Sequence, residues 1–264
     1  MYDLATQKAL LLIKEGNILD GVLALYEAWM SGSISAGLFF KKNEPIGPIP
    51  LTQKVLEART TSRDSTEDFK LGLCYLSGIG IAQSDEKAQE LFSILAEKHH
   101  APAQNLLAWM YQNNRAGKEL SQDERDDKAV QLYLQAATAG YAPAQYNLAC
   151  MYEEGRAGKE LTQDKRDIAA VQLYLQAATA GFPSAQNNLA WMYQNNRAGK
   201  ELTQDKRDIA AVQLYLQAAT AGYTPAQYNL ALMYDEGRAG KELSQDERDD
   251  KAVQLYLQAA TAGF

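Results

Sequence analysis

The residues able to do chemistry are few and poorly placed for it. His99 and His100 are the only histidines, and they are adjacent, so on a helix they point in different directions. One zinc ligand could come from such a pair, but no Cys or His elsewhere stands at metal-site spacing. The same clustering excludes a nucleophile–His–carboxylate set, and a helix-terminal role is expected for both. Gly78-Ile-Gly80 lacks the Lys-Ser/Thr of a phosphate loop and any preceding strand. The acidic run from Asp123 to Asp127 lacks the alternating ligands and central Gly of a calcium loop. Cys74 and Cys150 cannot staple a chain of 264 residues and are expected to be two reduced thiols. No catalytic residue, metal ligand or cofactor is therefore nominated.

Bulk composition narrows the partners. Lys and Arg total 26 against 33 Asp and Glu, a net charge of −7. No basic stripe is visible to neutralise phosphates, so nucleic acid and anionic membrane are disfavoured. Nothing resembles a signal peptide or a membrane span. The expected location is cytoplasmic, with export by a route that needs no cleavable signal peptide left open.

What positions the side chains is a repeat. From Ala103 the segment A-Q-x-x-L-A-x-M-Y, then R-A-G-K-E-L-[ST]-Q-D, then A-V-Q-L-Y-L-Q-A-A-T-A-G recurs every 41 residues, beginning again at Ala144, Ala185 and Ala226. Periods of this size mark solenoids, whose units bury apolar faces only against their neighbours. Each unit spells helix A, loop, helix B. Pro102, Pro143 and Pro225 suit a helix start, and Asp123, Asp164, Asp205 and Asp246 suit the cap or dipole of helix B. Gly140, Gly181, Gly222 and Gly263 suit a left-handed stop followed by an aromatic. Ala136 and Ala137 permit close helix approach, with Leu107, Tyr111, Val130 and Tyr133 as bulk.

Five helix pairs are expected near 67–102, 103–143, 144–184, 185–225 and 226–264, the first shorter and degenerate. The extra residues of later units lie around Arg115–Leu120, an edge loop expected to offer a secondary contact surface. Residues 1–64 differ, with helices over Leu4–Glu15 and Ile18–Met30, a turn at Gly16-Asn17, breakers after Ser31, and a short helix over Thr52–Arg59. This segment is open to two readings, a cap on the stack or a separate docking module.

These residues resemble the Sel1-like repeat, a relative of the tetratricopeptide repeat, whose pattern is A-x-x-x-L-G-x-x-Y-x-x-G, a variable loop, then K-A-x-x-[WLY] and A-A-x-x-G. The match stands in Asp68 to Gly78 with Lys87-Ala88, and in Ala144 to Gly155 with Ala177-Ala178 and Gly181. Departures are Ala for Gly at 108, 149, 190 and 231, and Asn114 and Asn196 in place of the loop-proximal Gly. The resemblance implies an all-α protein, a right-handed α/α superhelical solenoid with helix A on the concave side. It also implies a non-enzymatic adaptor, of a kind that in bacteria serves signalling or host-cell interaction.

The copies allow an internal comparison. Between 103–140 and 226–263 only six of 38 positions differ, all in helix A or its end. At about 100° per residue five of them share one side of the helix, and the fixed positions share the other. The variable side reads Asn105, Trp109, Gln112; Tyr146, Cys150, Glu153; Asn187, Trp191, Gln194; Tyr228, Leu232, Asp235. Aromatic anchors flanked by amides and carboxylates suit the centre of a protein or peptide interface. Drift between young duplications and tryptophan as ordinary packing also fit this segregation. A structural subunit that self-associates end to end is an alternative function, as is an enzyme with unrecognised chemistry in residues 1–64.

Overall fold

The structure, a computed structural model, describes residues 3–31, 36–37, 40 and 65–261. Among the described residues twelve helices follow one another, and no strand occurs. They are α1 (Leu4–Lys14), α2 (Ile18–Met30), α3 (Ser65–Ser77), α4 (Asp85–Glu97), α5 (Ala101–Gln112), α6 (Gln122–Thr138), α7 (Ala142–Glu153), α8 (Gln163–Thr179), α9 (Pro183–Gln194), α10 (Gln204–Thr220), α11 (Thr224–Asp235) and α12 (Gln245–Thr261). From α3 onward odd numbers are helix A and even numbers helix B. The chain divides into two compact units, Tyr2–Ala144 and Gln145–Phe264. The expected short helix over Thr52–Arg59, the breakers at 45–50 and Gly263 lie outside the described residues.

Local chemistry sets the helix ends. In α6 and α10 helix B is capped by a hydroxyl rather than by the acid. Ser121 accepts from the Glu124 amide while the Glu124 carboxylate accepts from Ser121 N, a reciprocal box. Thr203 likewise accepts from the Lys206 amide to cap α10. Asp123 and Asp205 sit one step inside, complementing the helix dipole. Helix B then stops at a glycine with φ near 80°: Gly140 at +82°, Gly181 at +81° and Gly222 at +82°. The amide of the next residue bonds back across the last turn, Tyr141 to Ala136 and Tyr223 to Ala218, which closes the orphan carbonyls. Asn114 and Asn196 hold φ +57° where Gly155 and Gly237 hold +72° and +66°. The position needs a left-handed residue, and Asn is the side chain that tolerates it best.

Packing follows from alternating small and large residues. Within Gln145–Phe264, Tyr215 is fully buried among Ala190, Ala211, Ala218, Ala226, Leu230 and Met233. Alanines at 0% exposure on both helices let the axes approach, and the tyrosine fills the remaining volume. Gly72 is the family's glycine in the first pair, and a Cβ there would lie 2.5 Å from the Phe92 ring. No described helix is long and apolar enough to cross a membrane.

Candidate functional site: the helix A faces

In Tyr2–Ala144 the variable side of helix A is covered from within. Helix α2 lies across it and brings Tyr26 to Phe69 of α3, ring centroids 5.3 Å apart and nearly perpendicular. The Tyr26 hydroxyl meets that of Tyr141 at 2.7 Å. Burial, then the neighbouring Tyr141, pushes the Tyr26 phenol well above its ordinary range. Trp29 stacks on Phe40 at 5.1 Å and meets Trp109 of α5 edge-on at 5.3 Å. Asn105 donates to the Met30 thioether at 3.7 Å. Trp109 and Asn105, expected at an open binding face, are thus buried. The contact buries the apolar side of α2 against an aromatic wall.

In Gln145–Phe264 two aromatics at the same positions, Trp191 and Tyr228, face outward. Trp191 is 40% exposed, against 9% for Trp109, and Tyr228 is 37% exposed. Asp235 is exposed, while Leu232, Tyr146 and Cys150 are half-buried. Tyr146 packs on Tyr174 and Phe182 at 5.8 and 5.4 Å, and Tyr228 on Tyr256 at 5.5 Å. Asn187 is buried, donates to Asn188 and accepts from Asn229 at 2.9 Å.

The third variable position does something the wheel could not show. Gln112, Glu153 and Gln194 accept hydrogen bonds from the buried hydroxyls of Tyr133, Tyr174 and Tyr215, each at 2.9 Å. Residue type varies there, but each copy keeps a side-chain oxygen as acceptor, because a buried phenol left unpaired is costly. At Gln112, Glu153 and Gln194 what the wheel shows as variation is thus a constraint.

Cys150 Sγ lies 3.2 Å from the Tyr174 hydroxyl, which also receives Asn188. Burial pushes the Cys150 thiol up to about 11 and the enclosed Cys74 thiol up to about 12. Neither is activated, since reactivity needs the thiolate. Both are free thiols. His100 caps α5 by accepting from the Ala103 amide, and His99 turns the chain before it with φ +59°. Burial lowers the His100 pKa. Among the described residues no cluster of His, Cys, Asp and Glu could hold a metal ion.

Sequence reasoning missed the role of the loop arginine. Arg115, Arg197 and Arg238 each reach back thirty residues to an aspartate on the preceding helix B, Asp85, Asp167 and Asp208. Asp167 and Asp208 are buried, and Gln163 and Gln204 complete their hydrogen bonding. Burial works to raise the Asp167 carboxyl, but the Arg197 and Gln163 hydrogen bonds outweigh it and hold it low. Lys200 repeats the reach at the rim, 2.6 Å from Asp164. The loop expected as a projecting contact surface is in part a clamp between repeats. Beside it a cleft of about 690 Å³ is lined by Ser84, Asp85, Glu86, Trp109, Arg115 and Lys118. The guanidinium also covers an indole, Arg115 over Trp109 at 5.6 Å and Arg197 over Trp191 at 5.4 Å.

The other apolar surface is on helix B. Leu175 and Leu216 are 52% and 53% exposed, one per repeat, with Ile168 and Ile209 beside them. These are aliphatic residues with no aromatic anchor among them.

Comparison with known proteins places the arrangement. The Sel1 repeat profile matches residues 68–100, 101–141, 142–182, 183–223 and 224–264. A search of curated proteins finds no match. Among solved structures the chain is similar to a Sel1 repeat protein from Oxalobacter formigenes, at 22% identity and TM-score 0.63, covering 93% of this chain and 85% of that one. It is also similar to c5321, a protective antigen of uropathogenic Escherichia coli with an SLR fold, at 22% identity and TM-score 0.61. That match covers 98% of this chain, which spans about half (54%) of the antigen's length. Sel1 repeat proteins generally mediate protein–protein interaction. With five consecutive repeats matched in an all-helical chain, the protein belongs to the Sel1 repeat family.

Proposed function

We propose that this chain is a non-catalytic scaffold that recruits a protein or peptide partner along the helix A faces of Gln145–Phe264. The observation that carries the reading is Trp191, an indole 40% exposed in a setting where its repeat counterpart is buried. Exposed tryptophan is costly in water and is the residue type most enriched at interface hot spots. Tyr146, Tyr228, Leu232 and Asp235 complete the surface, with Asn187 buried beneath it. In the covered unit Asn105, Trp109 and Gln112 serve packing, so the partner-binding assignment narrows to the second unit. A bacterial signalling or host-interaction adaptor is the finer form of this proposal, and its support is the family alone.

Capture from an extract of the source cells tests it. Wild-type protein should retain a discrete species that Trp191→Ala loses, with the variant's melting temperature nearly unchanged. Identical captured sets would contradict it.

A further inference from the structure

The two units carry closely similar three-residue surfaces, and one of them shows what fits it. In Tyr2–Ala144 the surface is Phe69, Asn105 and Trp109; in Gln145–Phe264 the same repeat positions hold Tyr146, Asn187 and Trp191. The placement matches as well as the register. Phe69 lies 5.8 Å from Phe92 and 4.9 Å from His100, and Tyr146 lies 5.8 Å from Tyr174 and 5.4 Å from Phe182. An arginine lies over each tryptophan, and both asparagines are buried, Asn105 against Met30 and Asn187 against Asn188 and Asn229 of its own unit. The difference is the occupant. Helix α2 covers the first surface with Tyr26 on Phe69, Met30 on Asn105 and Trp29 on Trp109.

We infer that Tyr146, Asn187 and Trp191 form a second copy of the α2 dock, which receives a partner's amphipathic helix of α2's chemistry. That helix presents small and aliphatic residues with two aromatics three apart, as Tyr26 and Trp29 stand in α2. The inference rests on the proposed function and deepens it by naming the partner's recognition element. One substitution narrows the partner further. Asp20 of α2 is anchored by Lys70 of α3 at 2.8 Å, and Asn147 holds the repeat position of Lys70. The second dock lacks that cation, and the carboxylates at the end of the helix that carries Tyr146 are already paired, Glu153 with Arg197 and Glu154 with Arg156. With no cation there to meet an acid, the partner helix has a neutral residue six before its first aromatic. A second copy's α2 is the less suited occupant, since it carries Asp20 and is already held by its own Phe69 and Tyr141.

The test uses a fluorescein-labelled synthetic peptide of residues 17–31 carrying Asp20→Asn, titrated into the full-length protein and read by anisotropy. Saturable one-to-one binding is expected. It should weaken at least tenfold with Trp191→Ala in the protein, and equally with Trp29→Ala in the peptide. Hydrogen exchange on the wild-type complex, which needs no variant to fold, should show new protection on α7 and α9. No saturable binding, binding indifferent to Trp191→Ala, or protection on α3 and α5 through displacement of α2 would each overturn the inference. So would a dimer of the protein alone that Trp191→Ala dissolves, because it assigns the surface to a second copy. If the peptide fails while capture of a cellular partner still depends on Trp191, the helix inference falls and the scaffold reading stands. If capture ignores Trp191, the scaffold reading itself falls.

Discussion

Trp109 and Trp191 sit at the same repeat position, in nearly the same local sequence, under the same kind of arginine, yet one is in a core and the other faces water. The repeat sets the shape of the wall, and the segment laid against it decides whether that wall is packing or surface. In the first unit α2 converts a potential recognition face into hydrophobic core. In the second unit no described segment does so, and the face keeps its aromatic side chains at an energetic cost that partner binding would offset. Function in a repeat protein is thus read from the differences between copies, and from what each copy touches.

The largest effect expected from this contrast is on stability. Trp109→Ala removes a buried indole from contact with Trp29 and should cost about 3–5 kcal/mol, as truncation of core tryptophans does. Trp191→Ala should cost less than about 1 kcal/mol, the usual range for a surface site. Urea denaturation of the two variants measures both, and equal losses would break the comparison.

Next in size is the clamp between repeats. Arg238→Ala leaves Asp208 buried without its charge partner and should destabilise the protein by about 2 kcal/mol, below the figure for fully buried pairs because the arginine side chain is 26% exposed. Thermal melts check it, and Arg238→Lys should recover little because a single ammonium cannot reproduce the two-nitrogen contact.

Acidification gives a smaller, graded effect. The folded Asp167 carboxyl is held below its unfolded range, so its stabilising contribution is full above that range, about pH 4, and is lost as pH falls through the lowered value. Asp167→Asn should flatten the melting temperature's fall as pH drops from the ordinary carboxylate range through the lowered folded value. An unchanged slope would remove the clamp from the account.

The smallest effect is on thiol chemistry. Cys150, half-buried and raised to about 11, should react slowly with a disulfide reagent at neutral pH. Cys74, enclosed and raised to about 12, should react only on unfolding. A faster Cys74 would mean that the first unit opens more readily than its packing suggests.

Much of the fold was legible because repetition displays its own rules. The 41-residue period, the glycine stops, the prolines and the alanine–tyrosine alternation each appear in copies and each do in the structure what their chemistry implies. Helices over 4–15 and 18–30 were readable from apolar spacing, but their destination was not. Nothing local in α2 says that Trp29 meets Trp109, a contact between residues eighty apart. The helical wheel separated variable from fixed positions and could not tell water from a covering helix. It also took Gln112, Glu153 and Gln194 as free to vary, although each must accept a tyrosine hydroxyl. The Asp167–Arg197 clamp escaped because its partners are thirty residues apart in different repeats, beyond the reach of helix periodicity.

The central claim is that the open helix A side chains of the second unit do the recognising, rather than the leucine row on helix B. Hydrogen exchange by mass spectrometry on the protein bound to its captured partner tests this without altering a residue. The account predicts slowed exchange along α7, α9 and α11, centred on the turn that carries Trp191. Slowed exchange confined to α8 and α10, around Leu175 and Leu216, would contradict it.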